Sequence, residues 1–402
     1  MDRIIFHIDV NSAFLSWTAV EQLKNGADHD IREIPTIIGG NQKSRQGVVL
    51  AKSVPAKKAG VVTGEPVVQA LRKCPELEIY PPNHTMYNAY SEELMKFLKN
   101  YTPDIEQISV DECFMDFTGI AHQYHSPVAA AFEMKEAIYN WFGFTVNIGI
   151  STNRLLAKMA SDFEKPNKVH TLFPEEISVK MWPLPVSELY MAGHSSVEVL
   201  HKLEIRTIGE LAKADPELLE LHLKSHGRTL WEFANGIDDN KVIREKVENK
   251  GIGNSTTLPK DATTAEEVKP VFLMLAETVG GRLRKEGQRA QMVSVEIKYA
   301  TFQTVSHQTQ LSKATNTDQV LYQTACELFE ELWNGMPIRL LGIRTSKLVE
   351  DAAPEQISLF EYSQDIEEDK RKNEKHKKLD KALDQIRDKF GDDAIKRGTF
   401  LK

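Results

Sequence analysis

The chain has 402 residues, 41% of them hydrophobic and 27% charged, with 22 glycines and 17 prolines, which allows two to three domains and excludes collagen-like and wholly disordered readings. No apolar stretch reaches the roughly 18 residues of a membrane-spanning helix, and three cysteines (Cys74, Cys113, Cys326) without a CxxC pair argue against a disulfide framework or a zinc knuckle. The net charge of −8 is unevenly spread, with 23 basic and 32 acidic side chains in residues 1–240 against 15 and 12 in residues 241–349, so a metal-using front half and a separate grip on a polyanion are compatible with it.

The opening MDRIIFHIDVNSAF has no small-residue cleavage site and is not a signal peptide, which points to the cytoplasm and to no membrane partner. Within it, RIIFHIDV is an apolar, β-branched run ending on a carboxylate and reads as a buried strand. Phe14, Trp17, Val20 and Leu23 then recur at helical spacing over Ala13 to Leu23. IPTIIGG and QGVVLAKS read as strands on either side of the polar loop NQKSR. A helix near Glu65 to Cys74, a strand LEIYP and an amphipathic helix over Met86 to Asn100 follow. In DIEQISVDECFMDFTG two β runs are interrupted by Asp111 and Glu112, so a hairpin with carboxylates at its turn is expected.

A helix over Ala129 to Trp141 and the strand FTVNIGIS complete a βαββαβ alternation, the element order of a ferredoxin-like sheet. TNRLLAKMASDFEKPN reads as a helix bearing Arg154, Lys158 and Lys165. Residues 173–240 read as short helices broken at Gly193, Gly209 and Gly227, and residues 241–252 as a charged linker. A second βαββαβ pattern runs from a strand near Gly253–Leu258, through a helix over Ala265–Glu286, strands from Met292 to Leu311 and a helix over Thr317–Asn334, to the strand IRLLGIRTSKL. The tail from Glu350 is charged, with one apolar peptide, QISLF, and a helix carrying Leu379, Leu383, Ile386 and Phe390 on one face. The expected fold class is therefore α+β, in several domains.

Asp9 at the end of a buried strand and Asp111–Glu112 at a hairpin turn belong to one expected sheet. Charged groups at the ends of apolar strands are solvated, paired or metal-bound. Three carboxylates at one sheet edge could hold two Mg²⁺ ions for a phosphoryl displacement; equally, they could be turn residues facing water. Lys57, Lys58 and Lys165 could neutralise a triphosphate or form a solvated face, and Phe14 could pack in the core or wall a substrate pocket.

Taken in order, HIDVNSAFLSW, VVLAKSVPAKKAGVVTGEP, QISVDECFMDFTG and GISTNRLLAKMASDFEKPN resemble the signature blocks of the Y-family (translesion) DNA polymerases over residues 3–349. The AKSVPAKKAGV block and the long tail resemble the bacterial UmuC/UvrX-like (ImpB/MucB/SamB) branch more than the DinB branch. The resemblance implies a right-hand polymerase with a ferredoxin-like palm (1–12 and 80–172), small fingers (13–79), a helical thumb with a helix-hairpin-helix (173–240), a linker (241–252), a βαββαβ little finger (253–349) and a tail (350–402). It implies a template-directed, low-fidelity enzyme of DNA damage tolerance that extends a primer with deoxynucleotides.

Position by position, the resemblance assigns two Mg²⁺ ions, with Mn²⁺ able to substitute, to Asp9, Asp111, Glu112 and the carbonyl of Val10. It makes Phe14 a steric gate against the ribose 2′-OH. It gives the triphosphate to Lys57, Lys165 and the backbone N–H groups of Asn11, Ser12, Ala13 and Phe14, and sets Val48 and Leu50 over the templating base. Lys57 and Val54 stand where many members have Arg and a phosphate-contacting Tyr, and Met191 where the first glycine of the thumb's GxG turn is expected, with Gly193 kept. DNA contacts are expected at Gly193, Ser255, Thr256, Arg339, Arg344, Thr345 and Lys347. Gln356, Leu359 and Phe360 resemble a bacterial sliding-clamp peptide, whose apolar residues would anchor in pockets of the clamp. An accessory protein is compatible with the resemblance, and a monomer suffices.

Two other readings share these residues. One is an untemplated nucleotide cyclase or nucleotidyltransferase, which would lack the 251–349 domain. The other is an inactive or partner-activated protein that binds DNA and the clamp.

Overall fold

The amino-terminal apolar run becomes the middle strand of a sheet, as a strand buried on both faces should. The computed structural model describes residues 3–40, 47–244, 249–352, 365–391, 394–395 and 397–398. In chain order its first half runs β1 (Ile5–Val10), α1 (Ala13–Lys24), β2 (Thr36–Gly39), β3 (Val49–Lys52), α2 (Val54–Lys58), α3 (Val67–Lys73) and β4 (Glu78–Tyr80). Then come α4 (His84–Leu98), β5 (Ile105–Gln107), β6 (Glu112–Asp116), α5 (Pro127–Phe142), β7 (Val146–Ser151), α6 (Arg154–Asp162) and β8 (Val169–Thr171). A five-stranded sheet has the order β5-β6-β1-β7-β8, antiparallel except for β8, which pairs parallel with β7. Its first four strands make the expected ferredoxin-like arrangement. A three-stranded sheet, β3-β2-β4, stands beside it in sequence.

Burial explains the layers. Phe6, Ile8 and Val10 of β1 pack with Trp17, Tyr87, Leu94, Met134 and Ile138 from the helices, and Phe6 stacks on Phe117 at 4.4 Å between centroids. Helix α1 is buried on two sides, with Trp17 and Val20 in that core and Leu15 and Ala19 against Ile38 and Ala51 of the small sheet. On the opposite face α6 lies so close to β7 that a Cβ on Gly149 would fall 1.9 Å from the carbonyl oxygen of Ala157. Only glycine permits that approach.

Four expectations are corrected in this half. Helix α6 ends at Asp162, so Lys165 sits on the following turn rather than on the helix; Pro166 bars helical continuation there. Helix α2 and strand β8 are additions, each too short to leave a periodic signal. Gly209 and Gly227 do not break helices but lie inside α8 (Ile208–Lys213) and α10 (Ser225–Ala234), which follow α7 (His194–Lys202) and, between them, α9 (Pro216–Leu223). A Cβ at Gly227 would meet the carbonyl oxygen of Leu219 at 2.3 Å, so the glycine is a packing residue. The expected linker is partly docked, since Arg244 pairs with Asp104, Ile243 N–H donates to Glu106 at 2.9 Å, and Arg154 donates to the Lys241 carbonyl at 3.2 Å.

Met191, where a glycine was expected, keeps the glycine-like conformation with φ +70°. A left-handed non-glycine residue costs about 1–2 kcal/mol. Met191→Gly is therefore expected to stabilise the chain by about 1 kcal/mol, read as a rise in melting temperature of about 2–4 °C.

Residues Val247–Lys402 form a second compact unit. It holds β9 (Gly251–Ala262), α11 (Ala265–Lys285), β10 (Gln288–Tyr299), β11 (Thr304–Thr315), α12 (Asp318–Leu332), β12 (Ile338–Glu350) and α13 (Asp365–Phe390). All neighbours in its sheet, β11-β10-β12-β9, are antiparallel. Phe272, Leu275, Val279, Leu321 and Leu328 of α11 and α12 pack on Val293, Val295, Leu341 and Ile343. The element order repeats βαββαβ, yet the first strand is now at an edge.

The apolar face expected on α13 is not its buried face. Leu383 is buried, but Leu379 is 48% and Phe390 67% exposed, while Asp380 is 2% exposed. Charge pairing replaces apolar burial here. Arg284 of α11 reaches Asp318 at 2.7 Å and Asp384 at 2.5 Å, Arg387 reaches Glu277 at 2.8 Å, Arg397 also pairs with Glu277, and Asp380 accepts the Asp318 N–H at 3.1 Å. One guanidinium serves three carboxylates, so Arg284 stays firmly protonated while burial pushes Asp318 up to about 7 and raises Asp380. A carboxylate whose folded-state pKa exceeds its unfolded value favours the fold at low pH and loses that contribution as pH rises. Thermal stability of this unit is accordingly expected to fall between about pH 4 and pH 7, less steeply in Asp318→Asn, in melts followed across pH. Among the described residues no helix is long and apolar enough to cross a membrane.

Candidate active site

Asp9 and Glu112 are direct cross-strand partners, and the Val10 N–H donates to the Asp111 carbonyl at 3.0 Å, so the end of β1 and the hairpin turn meet at one sheet edge. Ser109 organises that turn. Its hydroxyl donates to Asp111 Oδ1 at 2.5 Å and accepts the N–H groups of Asp111 and Glu112, each at 3.2 Å.

Each strand-end carboxylate has drawn a cation. Asp9 pairs with Lys165, which also lies 2.9 Å from Asp162. Glu112 pairs with Lys158 at 2.5 Å and stands 3.2 Å from His7 Nε2, while His7 Nδ1 is 2.8 Å from the Ser161 hydroxyl. Burial raises Asp9 against the pull of Lys165; His7 and Lys158 hold Glu112 at about 2, and burial lowers His7. The donor set, all carboxylate oxygen on a fixed sheet edge, suits a hard divalent cation. Among the described residues no three His, Cys, Asp or Glu side chains are grouped closely enough to hold an ion as they stand, because Glu112 is turned toward Lys158 and His7.

Beside this edge lies a cavity of about 400 Å³. It gathers Asp9, Val10, Asn11, Asp111, Ser12, Ala13, Phe14, Leu50, Lys57 and Lys165 of the expected residues, and omits Glu112 and Val48. Ser12 caps α1 in a left-handed conformation (φ 46°, ψ 52°) without a side-chain cap bond, which leaves the first-turn N–H groups without a side-chain acceptor, and Ala13 and Phe14 of that turn line the cavity. Asn11 is a correction. Its N–H donates to Thr145 O at 3.0 Å, its carbonyl accepts from Ser16 at 2.6 Å, and its amide bonds Asn147, Thr145 and the Asn167 N–H. Its backbone N–H, the group expected on a phosphate, is thus already used, and the residue ties β1, β7 and the Lys165 turn together. Phe14 lines the cavity and also packs in the core, stacking on buried Tyr87 at 4.4 Å and 8°.

In the second unit, cross-strand register sorts the expected DNA contacts. Ser255 opposite Gly342 and Arg344 opposite Gly253 share the sheet face away from the helices. Thr256 opposite Leu341 and Thr345 opposite Ile252 face the core, and Thr345, 0% exposed, donates to the Ile252 carbonyl at 2.7 Å. Neither faces a ligand on the open side, which corrects both assignments. Arg339 covers exposed Phe302 at 4.8 Å, Lys347 bonds Gln310 at 3.0 Å, and Gly193 caps α7. Gln356, Leu359 and Phe360 lie outside the described residues. Sequence reading gave no role to His7, Ser109, Lys158, Lys52 or Thr63. Alternation along β3, which turns Leu50 and Lys52 away from buried Val49 and Ala51, was the available signal for Lys52.

Residues 8–162 match the impB/mucB/samB family, and residues 249–359 match the C-terminal domain of that family. DNA polymerase IV of Clostridium acetobutylicum is 48% identical over 402 residues, covering 100% of this chain and 99% of that protein. DNA polymerase IV of Acetivibrio thermocellus is 36% identical over 405 residues, covering 100% and 98%. DNA polymerase IV 1 of Bacillus subtilis is 36% identical over 402 residues, covering 100% and 94%. Among solved structures, a Y-family DNA polymerase chimera superposes with a TM-score of 0.76 at 21% identity, covering 86% of this chain and 99% of its own. The chain thus belongs to the impB/mucB/samB family, the Y-family translesion DNA polymerases, and has their fold.

Proposed function

We infer that the chain adds deoxynucleotides to a primer 3′-OH under the direction of a template, with low fidelity, in the bypass of damaged DNA. The observation that carries this reading is the cavity in which Asp9 and Asp111 face Lys57 and Lys165 beside an uncapped helix start. Carboxylates and lysines on one wall suit a metal-dependent reaction on a polyphosphate.

Asp9, Asp111 and Glu112, with the Val10 carbonyl, would hold two Mg²⁺ ions, or Mn²⁺ in their place, and these when bound lower the pKa of the attacking hydroxyl and neutralise the leaving pyrophosphate. Lys158 gives way at Glu112 when this set forms. Lys57, Lys165 and the N–H groups at Ser12 to Phe14 hold the triphosphate and align the α-phosphate with the primer. Phe14, immobilised on Tyr87, fills the space of a 2′-OH. Leu50 lines the cavity where the nascent base pair would lie, with Val48 nearby on β3's approach. Ser255, Arg339, Arg344 and Lys347 contact DNA phosphates from the second unit, and Gly193 from α7, so affinity is salt-dependent. The peptide Gln356 to Phe360 engages a sliding clamp, which supplies processivity through effective concentration.

Primer extension on a short primer–template with Mg²⁺ and one dNTP at a time tests the reading. Incorporation that follows the template base is expected. Incorporation without a primer, or indifferent to the template, would indicate an untemplated transferase, and none at all would overturn the reading.

A further inference from the structure

We propose that Lys52, positioned by Thr63, is a third cation that binds the triphosphate in this cavity. The proposal rests on the polymerase reading above and names a residue that reading does not use.

Strand β3 buries Val49 and Ala51 and directs Leu50 and Lys52 into the cavity wall. Lys52 Nζ donates to Thr63 Oγ1 at 2.8 Å, and Thr63 lines the same cavity. An ammonium group has three donors, so this bond orients the side chain and leaves two for a ligand. The strand is also fastened at this point to the start of α1, because the Ser12 hydroxyl donates to the Lys52 carbonyl at 3.3 Å instead of capping its helix. Lys52 and the uncapped amides of α1 are thereby held on one cavity.

The charges around Lys52 do not balance. Its neighbouring carboxylate, Glu65, is engaged by Lys73 at 2.6 Å and by the Val62 N–H at 2.7 Å. Lys165 has Asp9 and Asp162, whereas among the described residues Lys52 and Lys57 have no carboxylate within ion-pair distance. These two ammonium groups in one half-buried cavity repel each other, and burial, then Lys57, lowers the affinity of Lys52 for its proton against the pull of Glu65. Such an arrangement is unfavourable in the free protein and becomes favourable when a polyanion enters. A nucleoside triphosphate matches that demand in charge, and the adjoining Asp9 and Asp111 match it in chemistry. Val54, which also lines the cavity, has no polar side-chain group to offer, so Lys52 adds from the strand a cation to the one that Lys57 supplies from the following helix.

Steady-state incorporation of one dNTP on a primer–template tests this, with primer–template affinity and melting temperature measured in parallel for wild type, Lys52→Ala, Lys52→Arg and Thr63→Val. Lys52→Ala is expected to raise the KM for dNTP about tenfold, the weight of one charge-assisted hydrogen bond, while kcat and primer–template affinity move by less than about twofold. Lys52→Arg should recover most of the loss, and Thr63→Val should show a smaller rise. Inorganic tripolyphosphate should compete with dNTP less effectively in Lys52→Ala than in wild type. An unchanged KM in folded Lys52→Ala, beside a raised KM in Lys57→Ala, would overturn the role of Lys52 and leave the polymerase reading standing. A wild-type chain that incorporates nothing would overturn both.

Discussion

Asp111→Ala is expected to reduce nucleotide incorporation by at least about 10³-fold, since the charge stabilisation that a bound metal lends a phosphoryl transfer is worth several kcal/mol and each 1.4 kcal/mol is tenfold in rate. Asp111 is a cleaner probe than its two companions. Asp9 and Glu112 are ion-paired, so removing Asp9 breaks one of the two ion pairs of Lys165, and removing Glu112 takes from Lys158 its carboxylate partner. The Asp111 carboxylate accepts a bond from Ser109 on a half-exposed turn, so its loss should leave the melting temperature nearly unchanged, as for most substitutions outside a core. Single-turnover incorporation on a preformed primer–template complex measures the effect, with DNA affinity as a control. A folded Asp111→Ala chain that retains incorporation within tenfold of wild type would remove Asp111 from the metal site.

Phe14→Ala is expected to narrow the preference for deoxy- over ribonucleotides by about 10- to 100-fold, the equivalent of the ~1–3 kcal/mol that forcing extra atoms against a packed wall costs. The ring can exclude a hydroxyl only because it cannot yield. It stacks on Tyr87, Tyr87 is itself buried, and His84 closes the edge at 5.8 Å. Truncating the ring also weakens packing, so Phe14→Leu serves as the milder partner. The ratio of kcat/KM for each dNTP and its ribonucleotide is the quantity to compare. A ratio unchanged in both folded variants would reduce Phe14 to a packing residue.

Local pattern carried much of the first half of the fold. The unbroken apolar run of β1, the hairpin around Asp111 and the alternation of elements all follow from spacing alone, and they bring Asp9 and Asp111 to one cavity. What spacing did not reveal depends on partners far along the chain. Glu112 turns toward Lys158 and His7 through contacts made by α6 and β1. Thr256 and Thr345 face the core because register with Leu341 and Ile252, not composition, decides which side of a strand is open. Which face of α13 is buried has a different cause. Helical periodicity assumes that apolar side chains are what gets buried, and here Asp380 is buried because Arg284 and Arg397 lie within 4 Å of it.

The position of β9 bears on how this chain came to hold two βαββαβ units. In the first sheet the opening strand lies between β6 and β7, whereas in the second it lies at the margin, beside β12 alone. Descent from one duplicated ancestor would preserve strand order, because converting one order into the other means unpairing a central strand and rebuilding two ladders of backbone hydrogen bonds. The shared element order thus carries no sign of a duplication, since two helices cover a sheet face over two different strand orders. The two opening strands also end differently: among the described residues β9 closes with Ala262 opposite Ile338, where β1 sets Asp9 opposite Glu112.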